Sequence, residues 1–379
     1  MRIQVLVGLV IGIFNTLAAA PPPGWAPWIH LPAVFDLTGP RHDGQMVAAA
    51  GGQLFLISPG GAVTPFADGP DGYHTASGPE SYLALSPGLH VANAGCDFPP
   101  DTLYVLRLQA PFGITRVDPF GHASSFVSIS GLDSLNGIAF DTVGRFDHRL
   151  LVTGPSHQLS TVLAIDCKGG VVPVTQSAPP LEGGLSVAPA TFGAHAGDLI
   201  APDENTGVLL AISATGQSTT LLDSRIPHGG DIGVESLAFT PPGFTKGGRA
   251  LVADRATANN PHPGTDSVLR LSSADLTAAG VRDGDLVVSA EGGAVTIDVR
   301  CRSACSVRTI VPTASTAHVE GHLLLIADQQ PPKPVALAPV SDLGSQRTQL
   351  LLKIGGGALA LVILAVLIGS RRRRARRPG

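Results

Sequence analysis

LLAISATGQSTTLLD, residues 209–223, consists of an apolar run, a turn carrying Gly216 and a second apolar run. The same frame returns in LFLISPGGAVTPFAD (54–68), ITRVDPFGHASSFVS (114–128) and VLAIDCKGGVVPVTQ (162–176). The turn glycines, Gly61, Gly121, Gly169 and Gly216, stand 60, 48 and 47 residues apart. A period of that size marks a repeat whose unit is one small antiparallel sheet. Two more segment types recur around the hairpin. SYLALSP (81–87), NGIAFD (136–141), GLSVAP (184–189) and SLAFTP (236–241) form one set. TLYVLRL (102–108), RLLVTG (149–154), DLIAPDE (198–204), RALVAD (249–254) and HLLLIAD (322–328) form the other. Each unit therefore has four strands, a to d in chain order, with the hairpin as c and d.

A lone four-stranded sheet cannot bury both faces, whereas radial stacking buries both, which makes a β-propeller the natural assembly. The strands are apolar throughout rather than alternating, as burial between two neighbours requires. Punctuation by 46 glycines and 32 prolines, with no sustained helical period, supports an all-β class. Blades 2 to 5 read as 80–129, 136–177, 182–224 and 235–299. QMVAAAGGQLFLISPGGAVTPFAD (45–68) reads as blade 1, one strand short. For a sixth blade, HLLLIAD serves as b and PKPVALAPVSDLG (332–344) as c. IHLPAVFDL (29–37), from the N-terminal side, closes it as d. Six blades is the expectation for residues 29–340, with five or seven as alternatives. RATANNPHPGTD (255–266) is too polar for a strand and reads as a loop inside blade 5; SSADLTAAGV (272–281) adds a short helix with Ser273 as N-cap.

The two ends have a different character. Residues 1–20 have a charged start at Arg2, an apolar stretch and a Leu-Ala-Ala-Ala exit, the layout of a signal peptide. Pro21 behind that exit leaves two alternatives, cleavage after Ala19 or retention as an anchor. PPPGWAPW (21–28) is a stiff lead-in. Residues 350–369 are apolar apart from Lys353 and small glycines, long enough to span a hydrocarbon core, and residues 341–349 tether them to the propeller. Six arginines follow within 370–379, which the positive-inside rule keeps cytoplasmic, mainly as a stop-transfer signal. The expected location is thus the plasma membrane, single-pass, with the propeller extracytoplasmic. Of 25 Lys+Arg, eight lie in these end segments, leaving 17 against 29 acidic residues, about −12. Such a surface repels nucleic acid and admits cations or basic partners.

NGIAFD, LLVTG and VLAIDCKGG in succession, with LYVLRLQAPFGITRVDPFGHASSFV, resemble the NHL, gluconolactonase and strictosidine-synthase-like six-bladed propellers. The resemblance covers most of residues 50–330 and speaks to fold more than function. It implies that metal-dependent members hold a divalent cation in the central channel through Glu, Asn and Asp side chains.

Strand order assigns every connection to one of two faces: d-to-a and b-to-c on one, a-to-b and c-to-d on the other. At the first face Asn136, Asp203, Glu235 and Asp254 stand at strand termini and could converge as oxygen ligands, a set suited to calcium. Against this, Asn before Gly is a turn residue and Asp at a strand end caps backbone amides. His74, His228, Asp231, Asn259, Asn260 and His262 lie in loops of the same face, while Glu182 reads as a rim charge. PDENTG (202–207) reads as a tight b-to-c turn. No GxSxG, HExxH or P-loop motif occurs, which removes the commonest esterase, zincin and nucleotide-binding readings.

Four cysteines in an exported chain favour disulfides. The face assignment pairs Cys96 with Cys167, in an a-to-b and a c-to-d connection of adjacent blades. It pairs Cys301 with Cys305, placed after strand d of blade 5 on the other face. Reading HVANA (90–94) as strand b would undo the first pair. The leading function is an extracytoplasmic module that binds an unknown ligand or protein through loops 130–135, 223–234 and 255–266. The alternative is a calcium-dependent lactonase or related hydrolase, and a third is a structural envelope spacer.

Overall fold

A computed structural model of the chain describes residues 24–75, 81–312 and 316–328. The expected signal segment and tether, the apolar stretch 350–369, the arginine-rich residues 370–379 and PKPVALAPVSDLG lie outside the described residues. Among those described, no helix is long and apolar enough to cross a membrane.

Six four-stranded antiparallel sheets close into a ring, giving the expected six-bladed propeller. Blade 1 is complete: Val34–Thr38, Met46–Ala50, Gln53–Ile57 and Val63–Phe66. Its innermost strand is part of the segment expected to close the last blade. Blades 2, 3 and 4 follow the repeat, with inner strands Leu83–Leu85, Gly137–Phe140 and Ser186–Val187. In blade 2 an extra hairpin, Leu89–Val91 with Cys96–Phe98, is inserted between a and b. Strand b is therefore Leu103–Arg107, not HVANA.

Blades 5 and 6 exchange chain. After the inner strand of blade 5, Val234–Phe239, the chain crosses to blade 6 and forms its strands b and c, Gly248–Asp254 and Ser267–Ser272. It then returns to complete blade 5 with Leu286–Ala290, Thr296–Cys301 and Cys305–Val311. Val319–Ala327 enters as the inner strand of blade 6. RALVAD and loop 255–266 thus belong to blade 6, and HLLLIAD is strand a rather than b. The N-terminal segment closes blade 6 as d, but through Ala26–His30. The short helix is Ser273–Ala278; its cap is Ser272, whose Oγ accepts from the Asp275 N–H at 3.0 Å, one residue before the expected Ser273.

The core is divided into six apolar clusters, essentially one at each blade interface. Met46, Ala48 and Ala50 face blade 6 beside Leu251 and Ala253, while Val47 and Ala49 face blade 2 beside Leu103 and Val105. Successive residues of one strand are buried against opposite neighbours, which is why the strands lack polar alternation. Both expected disulfides form, Cys96–Cys167 and Cys301–Cys305. The second closes the turn between c and d of blade 5, so it lies on the same face as the first, not the opposite one.

A polar hub crosses the axis. Asp36 of blade 1 is fully buried and accepts from the Leu83 N–H of blade 2 at 2.6 Å and the His322 N–H of blade 6 at 2.7 Å. The His322 ring takes Asp36 at 2.9 Å through Nδ1 and the Ile138 carbonyl of blade 3 at 2.8 Å through Nε2. Gly321 makes this possible. Its φ of +67° forms a bulge, and a Cβ there would strike the Asp36 carboxylate.

Candidate functional site: an acidic channel mouth

Above the hub, on the face where a strands begin and b strands end, lies a polar cavity of ≈ 260 Å³. Blade 4 contributes Glu204, at the end of its strand b, and its entry and exit connections carry Glu182 and Asp231. Blade 5 contributes Glu235 from strand a and Glu291 just after strand b; blade 6 contributes Arg255, His318 and Glu320. Tyr82, fully buried at the entry to blade 2, forms the floor and donates to Glu235 Oε1 at 3.1 Å. It stacks edge-on against His322, centroids 6.1 Å apart, so the hub seals the cavity below.

Two clusters of potential metal donors share Glu291: Glu291 with His318 and Glu320, and Glu204 with Asp231 and Glu291, each with ligand atoms within 4.8 Å of one another. Their electrostatics differ. His318 Nε2 lies 3.0 Å from Glu291 and 3.3 Å from Glu320. Burial pulls its pKa down, but bonds to the two carboxylates push it up to about 9, so a proton sits there at neutral pH. Arg255 Nη1 adds a second cation at 3.0 Å from Glu320. This half of the cavity is already compensated.

The other half is not. Burial raises Glu204, and nearby Asp231 adds to the effect. Burial pushes Glu291 up to about 7 despite His318. Glu235, wholly buried, is raised well above the ordinary carboxylate range by burial first and then by repulsion from Glu320 and Glu291. Carboxylates so crowded either hold protons or take up a cation. Glu204 Oε1 is buried without a hydrogen-bond partner. The oxygen-only set of Glu204, Asp231 and Glu291 suits a hard divalent cation and, with three side chains, leaves coordination positions for water or a ligand.

Of the four expected ligands, only Glu235 lines this cavity. Asn136 is consumed by the Leu181 carbonyl at 2.6 Å and the Thr153 hydroxyl at 3.1 Å. Asp203 caps its own turn, accepting from the N–H groups of Asn205 and Thr206 and from the Thr206 hydroxyl at 2.6 Å. Asp254 accepts from the Thr265 hydroxyl and from the His318 N–H at 2.7 Å, and so positions His318. Gly183 makes room for Glu235: its φ is +76° and a Cβ would collide with the Glu235 carboxylate.

Among the loop residues, Asp231 lines the cavity and Asn260 holds its carbonyl at 3.3 Å. His262 packs beside Gly292, next to Glu291. Asn259 is exposed, with the positive φ (+69°) of a turn residue. His228 and His74 bond to the carbonyls of Ile226 and Gly69, away from the cavity lining. Glu182 lines the cavity instead of its rim. Glu204, Glu291, His318, Glu320 and Arg255 were not anticipated, although DLIAPDE places Glu204 one residue beyond Asp203 on the expected face.

The fold and site together define a six-bladed propeller with an acidic channel mouth on one face and a second cavity, lined by the inner strands, beyond the hub. No family model and no curated protein matches the sequence. Solved structures similar to it include virginiamycin B lyase from Staphylococcus aureus, at 11% identity and TM-score 0.42, covering 74% of this chain and 71% of that one. A gluconolactonase from Xanthomonas campestris is similar at 13% identity and TM-score 0.38, covering 61% and 69%. The calcium-binding protein regucalcin from Agrobacterium tumefaciens gives 12% identity and TM-score 0.36, covering 63% and 74%. At such identities the likeness concerns the fold alone.

Proposed function

We propose that this chain is a membrane-anchored, extracytoplasmic propeller that binds a divalent cation, calcium by its donor set, at the channel mouth and takes its ligand there. The observation carrying this reading is the convergence of Glu204, Asp231 and Glu291, within 4.8 Å, beside the raised Glu235. Calcium would be held by these three carboxylates and would offer its open positions to ligand oxygens. Arg255 and the protonated His318, paired with Glu320 and Glu291, hold the adjoining carboxylates in place beside the cation. The test is a thermal melt of the detergent-solubilised full chain with calcium and with chelator. A cation bound only by the folded state raises the melting temperature, and an unchanged melt removes the cation reading.

A second reading, a metal-dependent hydrolase, is favoured by one observation. Glu291, at about 7, touches His318, at about 9, so proton carriers adjoin the donor cluster. Turnover of a lactone and ester panel that requires calcium and is lost in His318→Gln supports it; calcium binding without turnover leaves the binding module.

A further inference from the structure

The inner strand of blade 6, Val319–Ala327, begins beside Glu320 at the mouth and ends on the opposite face. From Asp328 only 21 residues, 329–349, separate this face from the apolar stretch at 350–369. Fully extended, they reach at most ~75 Å. The two faces also differ chemically. The mouth concentrates Glu182, Glu204, Asp231, Glu235, Glu291 and Glu320. Both lysines of the described residues, Lys168 and Lys246, stand exposed on the opposite face, in the c–d turn of blade 3 and the short helix leaving blade 5. Four aspartates there are held by histidines: Asp101 by His42 (3.0 Å), Asp97 by His90 (2.8 Å), Asp118 by His122 (2.9 Å) and Asp198 by His195 (3.2 Å). At the tip of the blade 2 c–d turn, Phe120 is 86% exposed, and Val171 is 39% exposed at the edge of the neighbouring turn. That face also carries Asp43, Asp166, Asp275, Asp283 and Asp328 and is acidic, but less so than the mouth; an aromatic ring offered to solvent there suits the headgroup layer of a bilayer, and an anionic lipid surface repels the mouth more strongly.

We propose that the face carrying Phe120, Lys168 and Lys246 rests on the outer leaflet of the bilayer that holds the chain's own C-terminal segment, so that the acidic mouth opens away from the membrane. This rests on reading residues 350–369 as a span. It means that ligand reaches the mouth from solvent and not from the lipid phase.

All four cysteines are paired, so one introduced cysteine gives a single labelling point. Phe120→Cys and Thr215→Cys place a fluorophore on the opposite face, the second with Phe120 retained; Leu159→Cys places it at an exposed apolar position on the mouth side. The full-length variants are reconstituted in vesicles of phosphatidylcholine and phosphatidylglycerol containing lipid spin-labelled at the headgroup. Quenching at positions 120 and 215 is expected to exceed that at 159 several-fold. Equal quenching at all three, or none at any, overturns the orientation. Self-quenching at 120 that follows protein and not lipid concentration also overturns it, because a second copy then covers the face. A chain that does not float with the vesicles removes the span reading itself, a distinguishable failure that takes the proposal with it.

Discussion

His322→Ala tests how the ring is closed at its axis. The His322 nitrogens face a carboxylate, Asp36, and a carbonyl, Ile138, so both must donate and the ring is an imidazolium. Burial opposes that charge, but Asp36 and the Ile138 carbonyl overcome it and raise the pKa above 6.5. Truncation leaves the Asp36 carboxylate fully buried without its counter-charge, a change that costs ~3–5 kcal/mol in comparable pairs. The N–H groups of Leu83 and His322 remain as donors to Asp36, which places the expectation at the lower end, about 3 kcal/mol. For a body of this size that lowers the melting temperature by about 5 °C.

The sign of the pH dependence follows from the raised pKa. The stabilisation is fully present below about 6.5 and fades as pH rises through the folded-state value, so the gap between wild type and variant narrows in alkali. Urea titrations across this range, with Asp36→Asn and the double variant, complete a cycle in which the double loss is smaller than the sum of the singles. A single-variant loss under about 1 kcal/mol at pH 6, or a gap that widens with pH, would refute the imidazolium bridge.

Glu291→Gln removes the carboxylate shared by both donor clusters, so calcium-induced stabilisation, about 2.7 kcal/mol at a hundredfold excess over Kd, should vanish in the melt while the chelated protein still folds. Calcium-free protein should lose stability as pH rises from about 4.5 through 7, because Glu291 is raised from its unfolded value of 4.5 to about 7, and melts in chelator at graded pH check this. The disulfides should rank by the loops they close. With 71 residues of separation, Cys96–Cys167 is worth about 4 kcal/mol, and Cys301–Cys305, with a separation of 4, about 2 kcal/mol, measured as urea midpoints of the serine variants.

Much of this molecule is written in local sequence. The turn glycines gave the repeat, and apolar runs without alternation gave burial between neighbours, because each blade interface draws on successive residues of one strand. Face assignment from strand order also held where blades follow one another. It placed Asp231 and Glu235 at the mouth and paired Cys96 with Cys167. Side-chain satisfaction was not legible: Asn136, Asp203 and Asp254 sit near the expected face, but each is spent on hydrogen bonds to backbone and hydroxyl partners that no spacing reveals.

The larger misreading arose where adjacency in sequence ceased to mean adjacency in a sheet. RALVAD reads as a strand b whichever sheet it joins, since its alternate residues meet two apolar neighbours in either place. Assigning it to blade 5 hid the true strand b, Leu286–Ala290, and with it the position of Glu291 at a mouth-side turn. It also made HLLLIAD a strand b, although it is the inner strand of blade 6 and Asp328 after it lies on the opposite face, 3.6 Å from Arg249. The exchange has a consequence for the site. Glu235 and Glu291 belong to blade 5 and Arg255, His318 and Glu320 to blade 6, yet the hairpin of blade 6 is spliced into the chain of blade 5. Along the chain, Glu235, Arg255 and Glu291 therefore reach the mouth from blade 5, blade 6 and blade 5 in turn.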